Sequence, residues 1–596
     1  NSGFSDSMSG GGANTIKNSM AKAIANAYTV PSPSPNANAN INSNNTTNKN
    51  ASNSKNGEND TQLSCREADF MGACLLADIS GFTKLSASFC KNGSAGLDKL
   101  HQATNGLLGN FVRIVYKFHG DVIAFAGDAL ICVFPIADGE DVKFEMKKVC
   151  QLAVLCAMEL VGVHTADLTS HIGVSCGYMS MGILGGHENK WVYLMNGACI
   201  SEISSCIDDA GPGEVVVTNE VHNHISNDGL TYAPGTELIV ANQMKGSGNY
   251  KLIHISSNFG GHIQYSYNRY DGLNLTTNIT SAVRLFVPRT VDHGISTGTF
   301  LSMSELREVT TLFLKLDTYD PIRNRSPMTL QPFFQMAQKE VAHMGGFMRQ
   351  FLIDDKGCVL IAMWGVPSCS HPNNAARAVS CAIRIHGSIA QFNHSCSIGI
   401  TTGNVFCGNI GSLVRRDFVG IGSDVNLAAR LMGKSKGLIF VDKRTQNLLP
   451  LQFRRNMMKS EGLVLKGVAE TTYAFICDGT MDPRLLTEKT AKFFFIQKPI
   501  ANIVTCEVQK VSKVGLTEAE GGRRPVSAMF AQKSAASIIL IEGQSGSGKS
   551  AVTALVRTVA KKEQLRVVYV EGRQRDRSVH HGIMKKIFTA LVGSMV

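Results

Sequence analysis

IGVSCGYMSMGILG at 172–185 and IGITTGNVFCGNIG at 398–411 are two versions of one segment, 226 residues apart, and each reads as strand, turn and strand. A repeat that long is a duplicated domain, because solenoid units run to roughly 20–50 residues. The same order of elements surrounds both copies. In the first half MGACLLADI (71–79) reads as a buried strand and VIAFAGDALICVFP (122–135) as a hairpin turning at Gly127-Asp128. Apolar positions between Asp141 and Val163 then recur at helical spacing. In the second half TLFLKLD (311–317) is a strand, GFMRQFLIDDKGCVLIAMWGVP (346–367) a hairpin and NNAARAVSCAIRIHG (373–387) a helix. The polar stretch 258–304 reads as a linker between the halves.

With 596 residues the chain is too long for one core, and about 150 residues per domain suggests three or four. Residues 1–64, rich in Asn, Ser, Ala and Gly, cannot offset their ordering entropy and are expected to be disordered. The 58 Lys and Arg against 47 Asp and Glu give a formal charge of +11, scattered and without basic runs. That favours a phosphate-rich small ligand and argues against a nucleic-acid partner. The 16 Cys form no CxxC pair or zinc ladder, and those such as Cys74, Cys132, Cys156, Cys358 and Cys381 sit in apolar segments, as reduced thiols of a cytoplasmic protein do. The longest apolar candidate for a membrane span, Val149 to Val163, is broken by Gln151 and Glu159, and no signal peptide opens the chain. The lack of an initiating Met and the end at Val596 are expected of a fragment.

Asp78 ends a buried strand, and Gly81 in ISGFT (79–83) allows a tight turn that aims backbone N–H groups at an anion. If that strand neighbours the hairpin, Asp78 and Asp128 converge and offer hard oxygen ligands to divalent cations. On spacing alone, turn and helix-cap carboxylates would explain both residues as well. The strings LLADISGFTKLS (75–86) and FAGDAL (125–130) resemble the metal-binding strand and hairpin of the class III adenylyl and guanylyl cyclases. RRDFVGIGSDVNLAARLM (415–432) resembles the family's transition-state segment, with Asn426 and Arg430 four apart on one helix face. LVLKGVAETTYAFI (463–476) looks like its last strand, whose Lys contacts the triphosphate and falls on Lys466.

The resemblance implies an α/β (α+β) fold in which two ferredoxin-like domains, 65–257 and 305–480, pair as an intramolecular pseudo-twofold heterodimer. It implies two Mg²⁺ or Mn²⁺ ions at Asp78, the Ile79 carbonyl and Asp128, and triphosphate contacts at Ser80, Gly81, Phe82 and Thr83. ATP is the implied substrate, with Asn426 on the ribose, Arg430 on the α-phosphate and Lys466 on the leaving pyrophosphate. Ser201 and Ser205 stand about where a second Asn and Arg would fall, and Gly357 opposite Asp128, so each half retains what the other lacks and one competent site is expected. The base-selecting pair falls on Gln350 and Val419, which match neither the adenylyl nor the guanylyl set. A guanylyl cyclase and a silent nucleotide-sensing scaffold therefore stay open as readings.

ASIILIEGQSGSGKSAVTALVRTVA (536–560) is a strand, a Gly-rich loop and a helix in which Gly543, Gly548, Lys549 and Ser550 fit a P-loop, so a second ATP is expected there. After a connector at 481–530, residues 531–596 would begin an α/β NTPase domain. Tandem cyclase domains followed by a P-loop module resemble the soluble, bicarbonate-responsive adenylyl cyclase family. Mammalian-type members place a bicarbonate-binding Lys where this chain has Ala124, and the expected Arg partner is replaced near Ile203. The resemblance thus leaves the degenerate pocket to a small regulator without naming bicarbonate.

Overall fold

A computed structural model describes most of residues 64–477. Residues 1–63, 227–238, 257–276 and 297–304, most of 82–92 and of 478–596, and shorter stretches including Asp128, Asp355 and 466–470 lie outside what it describes. The first half runs β1 (Arg66–Ser80), α1 (Gly93–Lys117), β2 (Asp121–Ala126), β3 (Ala129–Pro135), α2 (Val142–Val161), β4 (Thr169–Gly185), β5 (Trp191–Asn196), α3 (Ala198–Asp209), β6 (Val215–Val217), α4 (Asn219–Ser226), β7 (Ile239–Gln243) and β8 (Tyr250–Ile255). Two helices follow in the stretch read as a linker, α5 (Thr277–Leu285) and α6 (Arg289–Ser296). The second half runs β9 (Glu305–Leu316), α7 (Gln331–His343), β10 (Phe347–Asp354), β11 (Gly357–Trp364), α8 (Asn374–Ser388), β12 (Cys396–Gly411), β13 (Arg416–Ile421), α9 (Ser423–Ser435), β14 (Ile439–Val441), α10 (Lys443–Leu448), β15 (Met458–Lys459) and β16 (Phe475–Cys477).

Two mixed sheets with the same strand order result, β2-β3-β1-β4-β6-β8-β7 and β10-β11-β9-β12-β14-β16-β15, with β5 added to β4 and β13 to β12. This is the ferredoxin-like order expected for a duplicated class III domain. The segment 463–476, read as one strand, instead forms an isolated Leu463–Thr472 bridge before β16.

Alternation along β1 explains why the halves join. Ala73, Leu75, Ala77 and Ile79 point into a core with Phe111 and Val115 of α1 and Val149 and Cys150 of α2. Cys74 and Leu76 point the other way, into an apolar cluster that continues through Phe333 and Phe334 of α7. Each half also sends a hairpin into the other. Leu184 and Leu194 of β4 and β5 belong to the cluster of the second half, while Phe406, Ile410, Val419 and Ile421 of β12 and β13 belong to the core of the first. The hairpins are tied down alike: Gly185 N donates to Gln331 Oε1 at 2.8 Å and Gly411 N to Asn105 Oδ1 at 3.0 Å. Gly185 and Gly411 are one repeat apart, and so are Asn105 and Gln331, which makes the contact pseudo-twofold. Both glycines have positive φ, +132° and +113°, a backbone that a Cβ would strain.

The central strands also carry glycines that let a helix lie directly on the sheet. A Cβ on Gly399 would run into the Ala428 carbonyl and stand 2.5 Å from Met432 N, both on α9. Its counterpart Gly173 lies under α3, where a Cβ would come within 2.9 Å of Cys206 Cβ. Gly399→Ala is therefore expected to lift α9 and to cost about 1–3 kcal/mol of stability, measured by denaturant unfolding.

Candidate active site

Asp78 lies near the end of β1 on the strand face that turns toward the second half, in step with Cys74 and Leu76. Opposite it on β4 is His171. His171 Nε2 is 3.3 Å from Asp78 Oδ2, and Ser80 Oγ is 3.0 Å from His171 Nδ1. One tautomer satisfies both contacts: the Ser80 hydroxyl donates to Nδ1 and Nε2–H donates to the carboxylate. The imidazole is largely buried and the carboxylate about one-third exposed, so the ring aims one oxygen while Oδ1 has no partner among the described residues. An open, oriented carboxylate oxygen beside a strand-end carbonyl suits a hard divalent cation. Asp128 lies outside the described residues, and among those described no three His, Cys, Asp or Glu gather as a metal site. Gly81 adopts φ +91°, and Leu85 N donates to its carbonyl at 3.0 Å, so the chain turns sharply into a helical bond after β1. Phe82 and Thr83 lie outside the description.

Asn426 and Arg430 are half-buried on α9, whose Val425, Ala428, Leu431 and Met432 are buried. Burial of those neighbours fixes the helix and points Asn426 and Arg430 along one side of it. Among the described residues Arg430 has no hydrogen-bond or ion-pair partner. Such an uncommitted, positioned guanidinium is available to a developing anion. Lys466 lies outside the described residues, as do Gly543, Gly548, Lys549 and Ser550.

Gln350 and Val419 take different environments. Gln350 is half-buried just past a bulge in β10 that leaves Arg349 as the extra residue. Val419 is 1% exposed and packs in the first half's core beside Ile421 and Phe406. The charged groups at this end are ones the sequence reading missed. Arg349 Nη2 donates to Asp417 Oδ2 at 3.0 Å and to the Phe125 carbonyl of the first half at 3.3 Å. Arg415 Nη2 donates to Ile123 O at 3.2 Å and to the Tyr193 hydroxyl at 3.0 Å. The Tyr193 phenol oxygen, with the carboxylates of Asp417 and Asp121, outweighs burial and raises the Arg415 pKa further, so it stays charged. Nothing in the composition marks these residues; only the pairing of the RRDF segment (415–418) with the first half's edge strand could have found them.

Register shows how the two halves differ. Lys315 on β9, opposite Ser397, occupies the place that Asp78 takes opposite His171. The second hairpin also runs two residue pairs longer than the first, through Ile353–Cys358 and Asp354–Gly357. Gly357 therefore belongs to its added tip, while Asp128, which the sequence set opposite it, lies outside the described residues. A Cβ on Gly357 would lie 3.3 Å from Lys315 Cε, which places an amine where the first half offers a carboxylate. Counting from the helix caps Gly197 and Gly422, Ser201 and Ser205 are the counterparts of Asn426 and Arg430. Ala124 follows a bulge in β2 just as Gln350 follows the one in β10.

The adenylate and guanylate cyclase catalytic domain matches this sequence twice, over residues 71–257 and 301–477, more than half of the chain. Adenylate cyclase type 10 of Homo sapiens is 25% identical over 429 residues, covering 67% of this chain and 26% of its own. The Oryctolagus cuniculus protein of that name is 23% identical over 533 residues, covering 84% of this chain and 31% of its own. The chain thus spans 26% and 31% of the length of these relatives. A class III adenylyl cyclase-like ATP-binding protein from Pseudomonas aeruginosa aligns with 65% of this chain and 87% of its own, at 12% identity and a TM-score of 0.46. No helix among the described residues is long and apolar enough to cross a membrane.

His171→Ala is expected to weaken Mn²⁺ binding about tenfold, because loss of a hydrogen-bonded support behind a ligand costs roughly 10–100-fold in affinity. Paramagnetic resonance of free Mn²⁺ checks this, with circular dichroism to confirm an unchanged fold.

Proposed function

Because this chain belongs to the adenylate and guanylate cyclase catalytic-domain family, we propose that it converts ATP to 3′,5′-cyclic AMP and pyrophosphate at one site between its halves, as a soluble-type cyclase in cytoplasmic signalling. The observation that carries this reading is the complementary loss across the repeat. Asp78 has Lys315 as its counterpart, and Asn426 and Arg430 have Ser201 and Ser205. A cation in place of Asp78 repels metal, and serines cannot neutralise a phosphorane-like transition state. Only the combination of first-half carboxylate with second-half helix keeps both functions.

Asp78, the Ile79 carbonyl and Asp128 would hold two Mg²⁺ or Mn²⁺ ions, which when bound acidify the ribose 3′-hydroxyl and offset the charge of the triphosphate. His171 keeps Asp78 aimed. Backbone N–H groups from Ser80 to Thr83 receive phosphate oxygens at the turn after β1. Asn426 orients the ribose so that O3′ stands in line with the α-phosphorus, and Arg430 meets negative charge that grows on the α-phosphate oxygens as the bond to pyrophosphate breaks. Lys466 stabilises the departing pyrophosphate. The degenerate pocket, with Lys315 and Ala124, is left to a small regulator. The P-loop of residues 531–596, through Gly543, Gly548, Lys549 and Ser550, binds a second ATP. Domain limits of 65–257 and 305–480 are part of this reading.

GTP is the alternative substrate, left open by one observation: half-buried Gln350 and buried Val419 match neither the adenine-selecting nor the guanine-selecting pair. Incubating the chain with ATP or GTP and Mg²⁺ or Mn²⁺, then identifying the product by chromatography, decides between them. Absence of cyclic product with both would instead support a silent nucleotide-sensing scaffold. Asp78→Ala is expected to abolish product formation in a folded protein. Arg430→Ala should lower kcat by ~10²-fold with little change in KM, because its partner charge develops only in the transition state. A pure KM effect would place Arg430 in ground-state binding. Lys549→Ala should remove one of two ATP equivalents in equilibrium binding.

A further inference from the structure

Strand β2 is an edge strand that ends at Ala126, two residues before Asp128 in the sequence. Carbonyls on an edge strand lack a ladder partner. Ile123 and Phe125, two residues apart, each receive a guanidinium from the second half instead: Arg415 Nη2 at 3.2 Å and Arg349 Nη2 at 3.3 Å. Both donors are held in turn. Asp417 Oδ2 accepts from Arg349 Nη2 at 3.0 Å, and that side chain is only 8% exposed. The Tyr193 hydroxyl accepts from Arg415 Nη2 at 3.0 Å and donates to the same Ile123 carbonyl.

The other side of the pseudo-twofold is built differently. The bulged residue of β2 that corresponds to Arg349 is Ile123, and the residue of β5 that corresponds to Asp417 is Val192, both packed into the apolar interface. Lys190, which precedes β5 as Arg415 precedes β13, donates to Arg284 O at 3.3 Å and Val287 O at 3.0 Å at the end of α5. An interface that needed guanidinium ties merely to cohere would need them on both sides. Among the described residues the pair occurs only on the strand that precedes Asp128 in the sequence.

We propose that Arg349 and Arg415 are positioning residues, a one-sided clamp that fixes edge strand β2, which ends two residues before Asp128 in the sequence, against the strands carrying Gln350 and Val419. The role rests on the cyclase reading, in which metal ligands come from one half and the base and ribose contacts from the other. A ligand turn that drifts by about 1 Å relative to the nucleotide loses the in-line geometry. Asp417 and Tyr193 act through the arginines by holding their planes.

The test uses the 596-residue chain and reads three quantities: Mn²⁺ binding in the presence of non-cyclising 3′-deoxy-ATP, kcat for cyclisation, and melting temperature. Arg349→Met is expected to weaken Mn²⁺ binding and lower kcat about 10- to 100-fold, with Arg349→Lys recovering part of the loss. Asp417→Asn keeps the side-chain shape and carries the same expectation should Arg349→Met fail to fold. Gln331→Ala, which breaks an interface hydrogen bond outside the clamp, should lower the melting temperature without that loss. Wild-type Mn²⁺ affinity and kcat in folded Arg349→Met or Asp417→Asn protein would overturn the clamp. If Mn²⁺ binding responds to these variants but the wild type makes no cyclic nucleotide, the clamp stands and the cyclase reading fails. A wild type that binds no Mn²⁺ with 3′-deoxy-ATP sinks both.

Discussion

The contact on which the rest of the structure depends is the reciprocal burial of one hairpin from each half in the core of the other. Val419, Phe406 and Ile410 are members of the same apolar core as Phe111, and Leu184 and Leu194 of the same cluster as Phe333 and Phe334. Neither core closes without the other half. Apolar burial is non-directional, so it holds the halves together but does not set their register. The paired amide contacts at Gly185 and Gly411, with Gln331 and Asn105, supply that direction, and the two glycines are needed because their φ values exclude a Cβ.

Given a symmetric scaffold, function comes from the places where the side chains break the symmetry. Lys315 replaces Asp78, Ser201 and Ser205 replace Asn426 and Arg430, and Ile123 and Val192 replace the Arg349–Asp417 ion pair. Each exchange leaves backbone geometry intact, since the bulges in β2 and β10 and the glycines under α3 and α9 recur. At the interface strands one side of the pseudo-twofold carries the Arg349–Asp417 pair and the other is apolar. The helices at Thr277–Leu285 and Arg289–Ser296 add a further one-sided feature: Lys190 caps the first, and Thr290 Oγ1 of the second donates to Pro367 O at 3.2 Å, so the connecting segment touches both halves.

Much of this was legible in the chain. The duplication follows from the match of 172–185 with 398–411, the strands from period-two runs such as LLADI, and the helix placing Asn426 and Arg430 on one face from their spacing of four. Local patterns are enough there because backbone hydrogen bonding and alternation act over a few residues. His171, Arg349, Arg415 and Tyr193 were not legible. His171 lies 93 residues from Asp78 in sequence and meets it only through the β1–β4 register. The second hairpin was read correctly as a hairpin, but its two extra residue pairs, which put Gly357 in an added tip, were not legible.

By itself, then, the sequence determined the duplicated α/β fold, the order of its elements and the residue types from which a metal-and-nucleotide site could be assembled. Only the tertiary structure decided that His171 orients Asp78, that Lys315 holds its place in the other half, and that two arginines tie the edge strand across the interface. The physical reason is that pattern and propensity report how a short segment meets water. Which charge faces which carbonyl is set instead by strand register and by the packing of two cores, which bring together residues more than two hundred positions apart.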